Sequence, residues 1–160
     1  AMTGWRIGAA LAPPQVAKEM AALQTHTTTG ANHPSQWAAA FAFSDEKVDQ
    51  EVTKMVAAFR RRRDYLVQRF RSEVPGVEFV EPHGAFYFFF RVDGIRDDGS
   101  INGTSFCEQL MSEGVALVPG AAFGDDRWVR MSYAASDKDL EAALDRIVRL
   151  IRSLGAVRAV

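Results

Sequence analysis

Apolar and polar positions change period several times between residues 44 and 160. Val48, Val52, Met55, Phe59, Leu66 and Phe70 recur at helical steps and form one apolar stripe. Ser44-Asp45 supplies a start signal and Pro75-Gly76 a stop, so a long helix is predicted over 44–73. Val77 to Val80 predicts a short strand, and the aromatic run 85–90, Ala-Phe-Tyr-Phe-Phe-Phe, a strand buried on both faces. The Asp- and Gly-rich stretch 93–103 reads as a loop. Ser105 and Glu108 stand at capping-box spacing ahead of another helix. Strands are predicted over 115–118 and 128–133. A last helix, capped by Ser136, aligns Leu140, Leu144, Ile147, Ile151 and Leu154 on one face. The order helix, strand, strand, helix, strand, strand, helix specifies an α+β domain with helices packed on a small sheet.

The first 43 residues read differently. Residues 5–12 are small and apolar and predict a buried strand that Pro13-Pro14 ends. A helix follows over 15–24, a polar loop over 25–34 and an alanine-rich buried helix over 35–43. A lone strand has nothing to satisfy its backbone. Residues 1–43 are therefore expected to be a residual segment of a larger domain and 44–160 a small domain, with helix 44–73 bridging the two. On that reading the chain begins partway through a longer protein.

Composition narrows the classes. The 160 residues are 48% hydrophobic and 24% charged, with a formal net charge of -1. No global field favours nucleic acid or an anionic membrane, and no apolar run approaches membrane-spanning length. Cys107 is the single cysteine, which fits a reducing, cytoplasmic setting and excludes an internal disulfide. His26, His33 and His83 lack metal-ligand spacing. No dinucleotide fingerprint, phosphate loop or nucleophile elbow occurs. Arg60 to Arg63 point in four directions around a helix and cannot form one flat basic patch.

Two arginines stand apart. Arg6 follows Trp5 and precedes an apolar run, where a guanidinium either finds an anion or snorkels to water. Arg130 interrupts the strand Trp-Val-Arg-Met-Ser-Tyr. Period-two alternation puts Trp128, Arg130 and Ser132 on one face and Val129, Met131 and Tyr133 on the other. Arg130 is thus placed either to grip a carboxylate bidentately or to rest on a solvated sheet face. Two cationic forks without a nucleophile or base look like half an active site.

Six short motifs carry a resemblance along the whole chain: Met2-Thr-Gly-Trp-Arg-Ile-Gly8, Gln24-Thr-His-Thr-Thr28, Phe59-Arg-Arg-Arg-Arg-Asp64, Gly84-Ala-Phe-Tyr87, Val115 to Gly120 with Phe123-Gly124, and Val129-Arg-Met-Ser-Tyr-Ala134. In this order and at these intervals the chain resembles the fold-type-I aminotransferases of the aspartate aminotransferase family, over the part that begins just after the catalytic lysine. The resemblance implies pyridoxal 5'-phosphate as cofactor, amino acid and 2-oxo acid substrates, and a homodimer. It implies that Arg6 contacts the cofactor phosphate, that Arg130 grips the substrate α-carboxylate, and that Phe86 lies near the substrate. The lysine that bonds to the cofactor falls upstream of residue 1, and none of Lys18, Lys47, Lys54 and Lys138 takes its place. The isolated chain is therefore expected to be inactive. The effector domain of an aminotransferase-like transcription regulator, or a standalone interaction module, remains an alternative on sequence grounds.

Overall fold

The computed structural model describes residues 2–96 and 98–155. It divides into two compact units that meet in sequence at Lys54 and Met55.

The first unit holds a 3-10 turn, Thr3–Trp5, and helices α1 (Pro14–Thr27) and α2 (His33–Ser44). The strand expected over 5–12 does not form. No described residue pairs with it, and Arg6 takes a left-handed backbone, φ 52°. An extended segment without a partner has no ladder to satisfy its N–H and C=O groups. The loop expected over 25–34 is shorter, since α1 runs on to Thr27. The Thr25 and Thr27 hydroxyls donate to the Ala21 and Leu23 carbonyls at 2.9 and 3.1 Å, a back-bond that helical threonines can make. Pro34 near the start of α2 spares a helix donor, and the Asn32 side chain caps the turn by accepting from the Ser35 N–H at 3.1 Å. The helix expected over 35–43 is present but not buried: Trp37, Phe41 and Phe43 are exposed.

Helix α3 (Glu46–Glu73) spans nearly the predicted range and runs from the first unit into the second. The second unit continues with β1 (Phe79–Val80), β2 (Tyr87–Arg91), α4 (Gly103–Ser112), β3 (Val118–Pro119), β4 (Trp128–Ser132) and α5 (Asp137–Ser153). The predicted order holds. The sheet is antiparallel throughout, in the spatial order β1-β2-β4-β3. The long central pair sets Phe89 opposite Arg130 and Tyr87 opposite Ser132.

Helices α3, α4 and α5 all contribute to one core against one face of this sheet. Leu66, Phe70, Phe106, Leu110, Leu144, Ile147 and Ile151 pack there with Phe88, Phe90, Val129 and Met131. The Phe70 ring lies 4.7 Å from Phe88 and 5.0 Å from Phe90, centroid to centroid. Burial of β2 on both faces is therefore corrected. Phe88 and Phe90 are fully buried, whereas Phe89 is half-buried and Tyr87 exposed, because β2 follows the one-sided alternation of an antiparallel strand.

Three boundaries also shift. Helix α4 starts at Gly103, where Asn102 and Ser105 cap each other reciprocally in place of the predicted Ser105–Glu108 pair. The strand expected over 115–118 shortens to 118–119, since the Val115 N–H is spent on the Leu110 carbonyl at 2.9 Å. Strand β4 ends at Ser132, one residue early. Ser136 caps α5 as expected, its hydroxyl accepting from the Asp139 N–H at 3.1 Å.

Candidate functional site

The outer face of the sheet carries the candidate site. Trp128, Arg130 and Ser132 point there from β4, as the alternation predicts, while Val129 and Met131 enter the core. From β2 the same face receives Tyr87 and Phe89. The 3-10 turn Gly120–Phe123 adds Phe123.

Arg130 is half-buried among rings. Its guanidinium carbon lies over Tyr87 at 4.2 Å and over Phe123 at 4.5 Å from the ring centroids. Both separations are well inside the reach of a cation–π contact. Among the described residues no carboxylate and no hydrogen-bond acceptor engages its N–H groups. Two other arginines of this unit differ. Arg91 on β2 pairs with Asp93 and Glu78, and Arg127 with Asp125. Arg130 thus keeps its faces on aromatic surface and its N–H edge uncommitted, the arrangement that receives a planar carboxylate through two parallel bonds.

The turn bearing Phe123 is tightly built. Gly124 closes it at φ 90°, and the Asp125 N–H donates to the Gly120 carbonyl at 3.1 Å. A Cβ on Gly120 would overlap the carbonyl oxygens of Asp125 and Trp128, so only glycine lets the turn back onto β4 this closely. The Asp125 carboxylate accepts from the Arg127 side chain at 2.8 Å and the Arg127 N–H at 3.0 Å. The guanidinium holds that carboxyl down at about 2.

Phe86 precedes β2 and is half-buried. Its ring stacks on Phe59 at 5.9 Å and meets Tyr87 at 4.6 Å, so Tyr87 touches both Phe86 and Arg130. Ala85 beside it is left-handed, φ 57°. The Tyr133 side chain stabilises that backbone by donating from its hydroxyl to the Ala85 carbonyl at 3.1 Å. Burial pushes the Tyr133 phenol up. Ala85 and Tyr133 line a depression of about 230 Å³ with Phe59, Arg60, Arg63 and His83.

Arg6 belongs to the other unit. It is exposed, and among the described residues its side chain makes one hydrogen bond, donating to the Thr3 carbonyl at 3.2 Å. The Ser35 hydroxyl ties its segment to α2 by donating to the Trp5 carbonyl at 2.9 Å. Cys107 is buried and its thiol is pushed up to about 11 by desolvation, so it is inert. Arg62 pairs with Asp137 and Arg63 with Asp64, as a solvated helix face requires. Among the described residues no cluster of three metal-ligating side chains occurs, and no helix is long and apolar enough to cross a membrane. Sequence reasoning missed Tyr87 and Phe123. The register would have found Tyr87, which shares the Arg130 face. Nothing local marks Phe123, which arrives from a turn.

Residues 1–147 match the family described as aminotransferase class I and II. The chain belongs to that family. It is 45% identical over 159 residues to a Petunia hybrida bifunctional aspartate aminotransferase and glutamate/aspartate-prephenate aminotransferase, covering 94% of this chain and 33% of that protein. It is 43% identical to an aspartate aminotransferase of Thermotoga maritima, covering 95% of this chain and 37% of that one. A Thermus thermophilus aspartate aminotransferase solved with maleate superposes with a TM-score of 0.80 at 37% identity, over 94% of this chain and 38% of that one. The chain therefore spans about a third to two-fifths of the relatives it matches. Both the resemblance read from the motifs and the α+β class are borne out by these matches.

Proposed function

We propose that this chain is part of a pyridoxal-phosphate-dependent aminotransferase that moves an amino group between an amino acid and a 2-oxo acid. Aspartate is the favoured amino donor, because the similar proteins carry that name. The observation that carries the reading is Arg130, a guanidinium set on two rings with its N–H edge unspent among the described residues. Its role is to bind the substrate α-carboxylate. A bidentate fork fixes both the position and the rotation of that carboxylate, and so the direction of the bonds at the neighbouring carbon. Phe86, linked to Arg130 through Tyr87, supplies an apolar wall beside the substrate.

The donor chemistry of Arg6 fits a cofactor phosphate. The side chain is exposed, spends one N–H on its own turn and meets no carboxylate among the described residues. Arg6 would hold the phosphate by charge-assisted hydrogen bonds. Pyridoxal phosphate, when bound, supplies the electron sink for amine transfer. A homodimer in the cytoplasm is the expected state of the whole protein.

The test is Arg130→Ala in the full-length protein. KM for both the amino acid and the 2-oxo acid should rise about a hundredfold, since loss of a desolvated charge partner typically costs 2–5 kcal/mol. Unchanged steady-state kinetics would remove the assignment.

A further inference from the structure

Arg130 is better held than an arginine on an open sheet face needs to be. A long cationic side chain there would ordinarily sample many rotamers and lean into water. Tyr87 is its diagonal neighbour across the β2–β4 ladder, because Tyr87 faces Ser132 and Phe89 faces Arg130. Phe123 reaches it from the turn before β4. Phe123 is braced in its turn. Its ring meets Phe89 edge-on at 6.2 Å, and Phe89 stacks in parallel on Trp128 at 5.3 Å. A continuous aromatic chain, Trp128–Phe89–Phe123, thus ends on the guanidinium.

Both terminal rings stay open to solvent, Phe123 at 51% and Tyr87 at 37% exposure. Neither ring is needed to fill the core, and exposed aromatic surface of this kind is typically retained for contact. A ring over a guanidinium carbon covers a face that has no hydrogen bond to lose and leaves the N–H edge outward.

We propose that Tyr87 and Phe123 are positioning residues that pre-orient the Arg130 fork before a carboxylate arrives. This rests on the carboxylate role proposed for Arg130. The rings restrict the guanidinium in the free protein, so less freedom is lost on binding and the affinity for a carboxylate ligand rises. The turn built on Gly120 and the Arg127–Asp125 pair keeps Phe123 at that station.

The experiment measures maleate binding and steady-state kinetics in the full-length cofactor-loaded enzyme. Phe123→Leu and Tyr87→Leu keep an apolar side chain, smaller than the original, and remove the ring. Each should raise the maleate Kd and substrate KM about fivefold, with kcat changing less than twofold. Phe123→Tyr should restore affinity, because it keeps the ring. Leucine variants that bind maleate like the wild type while Arg130→Lys weakens it would overturn the clamp and leave the carboxylate reading standing. If Arg130→Lys also binds like the wild type, the carboxylate reading itself fails and the clamp with it. Equal losses in Phe123→Leu and Phe123→Tyr, accompanied by a lowered unfolding midpoint, would show a structural role only and also overturn the clamp.

Discussion

The two faces of the four-stranded sheet use the same kinds of residue for opposite ends. On the core face, Phe88 and Phe90 are fully buried against Phe70 and Phe106, and every ring is covered by a helix. On the outer face, Phe89, Trp128, Tyr87 and Phe123 form a comparable cluster that stays partly exposed, and an arginine sits in it. Burial of apolar area stabilises the first set. The second set buries less and holds a cation in place. Adjacent phenylalanines on one strand therefore do different jobs, and the pleat alone separates them.

The largest expected effect breaks the core face. Phe90→Ala should destabilise the chain by about 3–5 kcal/mol, as truncation of a fully buried ring does. Phe89→Ala, which loses a half-buried ring and two ring contacts, should cost about 1–2 kcal/mol. Urea unfolding followed by circular dichroism measures both, and equal losses would erase the distinction between the faces.

Removing the arginine sharpens the contrast. Arg130→Ala should cost about 1–2 kcal/mol, since its two cation–π contacts go with it but no ion pair among the described residues does. A midpoint that falls as far as that of Phe90→Ala would make Arg130 a structural residue.

The smallest effect concerns the turn that carries Phe123. The Asp125 carboxyl sits at about 2 in the folded chain, against an ordinary value of 3.8. A lowered folded value means that its bond to Arg127 contributes fully above about pH 4 and is lost as the pH falls towards the folded value. An NMR titration should show the Phe123 ring signals moving in that acid range. Movement confined to neutral pH would uncouple Asp125 from the turn.

Most of the second unit was legible from pattern. Helices α3 and α5 declare themselves by long apolar stripes with caps at their ends, and β4 by clean alternation that puts Arg130 on the outer face. Ends were less legible, because they depend on single hydrogen bonds. Asn102 outcompetes Ser105 as the cap of α4, and the Leu110 carbonyl takes the Val115 N–H from the sheet. The first unit was the least legible. A small apolar run such as 7–12 reads as a strand from composition, yet strand formation needs a partner that composition does not contain. The candidate site was half legible. An arginine between apolar neighbours is visible in the sequence, but the rings that hold it are not.

The sequence by itself determined the family, the order of elements in the second unit and the face on which Arg130 stands, because periodicity and local motifs carry those facts along the chain. Only the tertiary structure decided which face of β2 would be covered and which rings would reach the guanidinium. Strand pairing brings Tyr87 within 4.2 Å of Arg130 across 43 residues of chain, and a turn closed on a glycine delivers Phe123 to 4.5 Å. Such contacts are set by the closure of the sheet and the fit of backbone against backbone, which no local pattern encodes.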